Sequence, residues 1–309
     1  MSTRVRSARR GYALAAGAAT LWALNGSMAR ELLHDGLGAF RLAQLRSLGS
    51  LVLLALVLLV RRRDLIQVRR ADVRSLAFLG VCGIAVVHAA YFVAIDRLQI
   101  GAALTIQYLA PLLLLLWLRF AHARRFAPAL WGAVALSALG CFFVVRAYDI
   151  SALDGLGIAA AFGSAIAFAT YMVGSERAGR AYEPATTLLW AFAFASAFWA
   201  VVQPWWSFPF GELGSLRHIA LAAGVIVVGT LLPFTLMVAA LRHLPSPRAA
   251  VVATLEPVLG ALFAYILLGE SLSLIQVAGA CAVIAAVVWV QLNRPDLEAE
   301  SAPALASAR

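Results

Sequence analysis

The sequence predicts an all-α membrane protein of ten transmembrane helices, arranged as two inverted five-helix repeats. Composition, the spacing of the apolar runs and a register of matching residues between the halves carry that expectation. Of the 309 residues 63% are apolar and only 13% charged, with a mean hydropathy of +0.88. A soluble chain of this length needs far more charge to cover its surface. Apolar segments punctuated by Arg, Pro and Gly fall at 11–29, 39–60, 74–95, 101–118, 128–146, 155–174, 184–203, 219–241, 248–268 and 273–292. Most approach the roughly 20 residues that cross hydrocarbon. The connections are short, and irregular backbone in lipid leaves amides unsatisfied, so a packed helical bundle follows. Recurrent Gly and Ala let helices approach where no hydrophobic effect drives them together.

The first ten residues, MSTRVRSARR, look like the start of a signal peptide. The apolar run after them continues to about Ala29 and further spans follow, so an uncleaved first helix is expected behind a basic, disordered segment 1–10. With the N-terminus in the cytoplasm and ten spans threaded, nineteen of the 25 arginines lie on inner segments. Arg30, Arg41, Arg46, Arg97, Arg146 and Arg217 lie on outer segments or outer helix ends. That bias fits the positive-inside rule and puts both termini in the cytoplasm. Trp205 and Trp206 fall in an outer connection, where indoles favour the interface. The tail 293–309 is polar and rich in Ala, Ser and Glu, the composition of a disordered segment. Basic residues that are all Arg, with heavy use of Ala, point to a GC-rich bacterial genome and hence to a bacterial inner membrane.

Several function classes drop out. The arginines cluster in short runs between apolar stretches, with no basic face to track a phosphate backbone, so no nucleic-acid partner is expected. Lys is absent, which excludes a P-loop, and no HExxH or paired-Cys motif occurs. Cys82, Cys141 and Cys281 each sit inside an apolar run and read as packing residues. No Ser/His/Asp set assembles, so neither an enzyme nor a cofactor or metal is expected.

Residues 98–143 match 244–290. At an offset of 146, Leu98 falls on Leu244, Ala103 on Ala249, Leu109 on Leu255, Pro111 on Pro257, Leu113 on Leu259 and Leu116 on Leu262. One residue further on, Gly132 falls on Gly279 and Ala133 on Ala280. Five spans separate corresponding points, an odd number, so halves 11–146 and 147–292 insert with opposite orientation. Inverted repeats meeting at the midplane are the symmetry that alternating access uses.

At these residues the chain resembles the EamA-type transporters of the drug/metabolite transporter superfamily. The resemblance rests on Leu-Glu-Pro at 255–257, Gly-Glu at 269–270, Gln276 with Gly279, the LWALNGSMAR stretch at 21–30 and Arg46 in the second span. It covers residues 11–292 and is stronger in the second half. One departure is plain: where the first repeat would carry its own Gly-Glu, this chain has His122-Ala123-Arg124. The resemblance implies a secondary transporter that moves amino acids or related small metabolites out across the inner membrane, as a monomer or a homodimer.

Candidate pathway residues follow from polarity at depth. Glu256 lies about eight residues into span 9, roughly 12 Å deep at about 1.5 Å per residue. An acid there costs about 2.5–3.5 kcal/mol on insertion scales, so it must face a cavity or a partner. It is a candidate substrate-amine or proton site, or else a structural acid bonded to neighbours such as Thr254. Its repeat mate is Ala110. His88 in span 3 is the other titratable group at depth, a coupling residue or a neutral donor to a carbonyl. Asn25 near Trp22, Gln107 with Tyr108, Tyr171 and Thr230 are candidates for a polar vestibule or for helix–helix hydrogen bonds. Arg41 and Arg46 open span 2, placed to snorkel outward; Arg46 is alternatively a carboxylate-binding group. Glu270 reads as the cap of an outer loop. Pro111 and Pro257 are expected helix breaks. Two other readings stay open. An intramembrane enzyme on a lipid or isoprenoid needs a cluster of acids or bases at one interface, and a non-transporting receptor or assembly subunit tolerates loss of Glu256.

Overall fold

The computed structural model describes residues 2–98, 100–148, 154–268 and 271–293; the tail beyond 293, and Gly269 with the expected loop cap Glu270, lie outside the described residues. The described chain is helical, with no strand. In order it forms α1 (Ser2–His34), α2 (Ala39–Arg61), α3 (Val73–Phe78), α4 (Val86–Arg97), α5 (Ile100–Gln107), α6 (Ala110–Ala121) and α7 (Pro128–Val144). The second half adds α8 (Gly155–Ala178), α9 (Pro184–Val202), α10 (Leu216–Ile226), α11 (Leu232–Ala240), α12 (Ser246–Ala253), α13 (Leu255–Leu268) and α14 (Leu274–Leu292). A π-helical stretch, Leu79–Ala85, joins α3 to α4, and another, Val227–Leu231, joins α10 to α11. Seven helices are long and apolar enough to cross a membrane, and Pro128–Val144 is a shorter apolar helix. On α2 the outward face of Val52, Leu56, Val57 and Val60 is exposed, as a lipid-facing stripe is in a structure without lipid.

The sequence explains most of the helix ends. Pro128 and Pro184 occupy first turns, where the missing N–H costs nothing. Asp154 caps α8 by accepting from the Gly157 amide at 2.7 Å, and Ser215 caps α10. Ser273 and Gln276 form a capping box on α14, and Gln276 Nε2 also donates to the Val144 carbonyl at the end of α7 (3.1 Å). The expected disordered N-terminus is corrected: α1 starts at Ser2, because Ala and Arg are good helix formers and neither Pro nor a capping break interrupts them. The expected breaks occur, but ahead of the prolines. The chain turns at Tyr108–Leu109 and at Thr254, where Pro111 and Pro257 deprive the Gln107 and Ala253 carbonyls of their i+4 donors.

Contacts repeat across the halves at the offset of 146. A Cβ on Gly11 would lie 2.7 Å from Leu244 Cγ and 2.8 Å from His243 Cβ; on Gly157 it would lie 2.7 Å from Leu98 Cγ and 3.0 Å from Arg97 Cβ. Gly83 packs against Tyr171 and Gly229 against Asn25, again mates of one another. The two π-stretches and the two breaks also correspond. Two ring contacts join residues to their own mates: Trp22 to Phe168 (6.0 Å) and His88 to Phe234 (5.8 Å). A residue touching its own repeat mate must straddle the axis relating the halves, so the pseudo-two-fold axis runs through this aromatic cluster. Phe234 also packs on Trp22, Tyr171 and Phe192. Elsewhere α7 and α14 cross at Gly140 and Gly279, where each glycine's Cβ position lies within 2.8 Å of the other's carbonyl oxygen.

Candidate functional site

On one side of the axis the mates are apolar, on the other polar. Tyr171, Phe192, Phe234, Ile84 and Ala110 correspond to Asn25, Arg46, His88, Thr230 and Glu256. The polar set comes from the first, second, third, eighth and ninth apolar runs, and much of it forms one connected group. Arg46, only 5% exposed, donates from Nε to Thr230 Oγ1 (2.8 Å) and from Nη2 to the Gly229 carbonyl (2.9 Å). Both acceptors lie in the π-stretch of residues 227–231. The i+4 donor for Gly229 would be residue 233, and Pro233 has no N–H, so the guanidinium supplies a donor that the local sequence withholds. Thr230 in turn donates to the Val225 carbonyl at 2.8 Å, bracing the stretch from within.

Glu256 and Tyr91 lie within electrostatic range of Arg46, and the Tyr108 hydroxyl hydrogen-bonds to the Glu256 carboxylate. His88 is buried, also within electrostatic range of Arg46, and its Nδ1 is enclosed without a hydrogen-bond partner among the described residues. Asn25 Oδ1 and Gln107 Oε1 are enclosed and unpartnered in the same way. An enclosed polar atom with no partner costs about 1–3 kcal/mol, so those of His88 and Asn25, beside Arg46 and the Gly229 it binds, mark places where another molecule's donors or acceptors would be welcome.

The placement of the sequence candidates is therefore uneven. Asn25, Arg46, His88, Tyr108, Thr230 and Glu256 come together, while Tyr171 lies across the axis with its hydroxyl 3.5 Å from the Phe234 carbonyl. Gln107 adjoins Tyr108 in sequence. Of the two arginines placed to snorkel, Arg41 reaches the 203–208 connection, donating to the Pro204 carbonyl (3.2 Å) and Ser207 Oγ (2.7 Å). Arg46 does not; one helical turn deeper, it is captured by the π-stretch. Tyr91 escaped the sequence reading, although it stands three residues after His88 on the same helix face. Gly229 escaped it too, for only packing shows that Asn25 fills the space its Cβ would take. Two clefts, of about 320 and 240 Å³, open away from this group, at the turns after α8 and α11. Their walls carry Glu176, Arg180, Glu183, Arg242 and His243, tied by ion pairs such as Arg242–Glu183 at 2.5 Å. Among the described residues no group of His, Cys, Asp or Glu has metal-binding spacing.

A helical membrane protein of two structurally matched halves, with charged and unpartnered groups enclosed where the halves meet, belongs to the class of membrane transporters. The model of the EamA-like transporter family matches residues 9–146 and again 155–292, two stretches beginning 146 positions apart. The chain belongs to that family. It is 31% identical over 258 residues to the threonine/homoserine exporter RhtA of Salmonella typhimurium, covering 81% of this chain and 79% of that one. The Escherichia coli threonine/homoserine exporter RhtA is likewise 31% identical over 255 residues, with the same coverage. The uncharacterized inner membrane transporter YicL of Salmonella typhimurium is 25% identical over 297 residues, 93% of this chain and 97% of that one. A solved structure superposes with a TM-score of 0.75 at 17% identity, covering 91% of this chain and 96% of that one, a likeness of fold.

Proposed function

We propose that this chain is a secondary transporter exporting amino acids or similar small metabolites across the bacterial inner membrane by alternating access. In this reading ten spans cross the bilayer, the two halves are inverted, both termini are cytoplasmic, and substrate binds where the halves meet. The observation that carries it is the connected group of Arg46, Thr230, Glu256 and Tyr108 with the unpartnered atoms of Asn25 and His88, enclosed beside the pseudo-two-fold axis. The relatives named as threonine/homoserine exporters support the substrate class.

The apolar mates supply the barrier. Phe168, Phe234, Tyr171 and Phe192 pack in tilted pairs across the axis from the polar group, which they meet where Phe234 touches His88. A polar solute thus meets a hydrogen-bonding wall from one face and an aromatic one from the other, and rocking of the halves would exchange which is open. An intramembrane enzyme would need its acids gathered at one interface. Here, among the described residues, Glu256 is the acid of the interior group, and the others lie in or near the connections.

Counterflow in proteoliposomes, with labelled threonine and homoserine in a wider metabolite panel, tests the reading. Wild type is expected to accumulate at least one solute and Glu256→Gln to lose about tenfold or more of that rate, the equivalent of about 1.4 kcal/mol. A wild type that moves nothing in the panel overturns it. An imposed pH gradient separates proton coupling through Glu256 or His88, which accelerates uptake into preloaded vesicles, from uncoupled exit, which ignores the gradient.

A further inference from the structure

We propose that Arg46 is a carboxylate-binding residue, held in reserve by the π-stretch of residues 227–231, and that the ligand releasing it is a zwitterion bearing a carboxylate and an ammonium group. The assignment rests on the transport reading above and adds to it which end of the ligand goes where, and what moves when it does.

The bonds that hold Arg46 now are both to neutral acceptors, the Thr230 hydroxyl and the Gly229 carbonyl. Its third nitrogen, Nη1, donates to nothing among the described residues. A carboxylate offers two charged acceptors matched to the guanidinium fork, and charge-assisted bonds of that kind are about twice as strong as neutral ones. A ligand carboxylate is therefore able to draw the guanidinium off the π-stretch. The exchange leaves the Gly229 carbonyl without its Arg46 donor, and Pro233 cannot supply an i+4 amide in its place. A ligand N–H reaching the same spot takes over that acceptor.

Charge complementarity selects a zwitterion. The interior group holds one fixed cation, Arg46, and one carboxylate, Glu256, within electrostatic range of each other. A ligand carrying both signs pairs each with its opposite and leaves the enclosed net charge unchanged. A bare anion or bare amine adds an uncompensated charge to a low-dielectric interior. Asn25, packed on Gly229 with its Oδ1 unpartnered, offers the ammonium or a side-chain hydroxyl a further acceptor. Because the guanidinium bridges α2 to the π-stretch, its release loosens the element joining α10 to α11, so occupancy is coupled to α11, whose Phe234 meets its own repeat mate His88.

The test is competition counterflow with L-threonine, L-threoninamide, which keeps the ammonium and loses the carboxylate charge, and 3-hydroxybutyrate, which keeps the carboxylate and the side-chain hydroxyl and loses the ammonium. In wild type each analogue is expected to compete about tenfold to a hundredfold less well than threonine, the worth of a hydrogen-bonded charge. Arg46→Gln abolishes the preference over the amide, whereas Arg46→Lys retains part of it. Thr230→Val, which removes one of the two bonds restraining Arg46, is expected to lower the half-saturating threonine concentration several-fold. Equal competition by the amide in wild type overturns the assignment, as does weaker threonine binding in Thr230→Val. Size-exclusion elution and thermal unfolding identify a variant that has failed to fold, and the wild-type comparison stands without it. No transport of any solute by wild type overturns the transport reading instead, and this assignment with it.

Discussion

Arg46 is almost fully enclosed and Glu256 partly so, within electrostatic range of each other, so the fate of one depends on the other. Removing a single partner leaves an uncompensated enclosed charge, whereas removing both leaves none. Arg46→Gln and Glu256→Gln are each expected to lower the thermal unfolding midpoint in detergent, and the double variant to recover part of the loss. The coupling should be about 0.5–3 kcal/mol, as for residues sharing one network. Strict additivity of the two losses would show that the charges do not feel each other. A second residue-scale expectation concerns His243, in the turn after α11, whose Nδ1 lies 2.8 Å from Ser7 Oγ. Partial burial, then Arg10 and Arg242, hold its imidazole below the ordinary value of about 6.5. Between the lowered value and the ordinary one the unfolded chain binds more protons than the folded one, so stability rises with pH across that window. His243 therefore contributes fully above about pH 6.5 and loses that contribution as the solution acidifies. Unfolding midpoints between pH 8 and pH 5 should fall more steeply for wild type than for His243→Gln. Parallel curves would rule out this titration. Sequence reached some of these residues and not others. Glu256 and His88 betray themselves by polarity inside an apolar run. The capture of Arg46 depends on a carbonyl 183 positions away, and no local pattern announces it.

At the scale of the element, helix breaks and close approaches decide what the helices can do. Pro111 and Pro257 announced interruptions, and the turns at Tyr108–Leu109 and Thr254 follow from the donors those prolines lack. The π-stretches were not legible, because a π-turn has no signature residue; it appears where packing forces one residue too many into a helix. In the second half the forcing is visible: Asn25 occupies the space beside Gly229, and Arg46 takes its carbonyl. Gly229→Ala gains about 1 kcal/mol of helix propensity, yet its methyl lands on the Asn25 side chain, and overpacking of that kind costs about 1–3 kcal/mol. The loss should win, and Asn25→Ala in the same chain should recover part of the unfolding midpoint, because it removes the Oδ1 and Cγ that the methyl would overlap and leaves only the Asn25 Cβ at 2.9 Å. Gly140→Ala offers no such rescue, because its new Cβ would lie 2.7 Å from the Gly279 carbonyl oxygen and 2.9 Å from the Val283 amide nitrogen, both backbone. Gly163→Ala, whose Cβ would find Ala90 at a comfortable 3.8 Å, is the control expected to be neutral or stabilising. If Gly140→Ala matches it, the α7–α14 crossing is looser than its geometry implies.

For the whole molecule, the offset of 146 orders contacts that share no side-chain chemistry. Gly157 against Leu98 and Gly11 against Leu244 are equivalent packings, yet Arg97 faces Asp154 at 3.9 Å where His243 faces Ser7. Backbone geometry has kept the symmetry and side chains have abandoned it, as a transporter with one polar and one aromatic side requires. If the halves are inverted in the bilayer, equivalent contacts must lie on opposite faces, and that is directly measurable. Cysteine substituted at Asp154 should react with a membrane-impermeant maleimide added to intact cells, whereas cysteine at Ser7 should react only after the membrane is permeabilised. Cys82, Cys141 and Cys281 are unpaired and are first replaced by alanine to give a silent background. Asp154 caps α8, so its replacement costs about 0.5–2 kcal/mol, and the unfolding midpoint of each substituted chain is measured beside its labelling to separate topology from damage. Protection of both cysteines, or labelling of both from outside, would place the two contacts on the same face. Two halves arranged that way are related like parallel repeats, the pseudo-two-fold axis then runs along the membrane normal, and the exchange of polar and aromatic walls between faces loses its geometric basis.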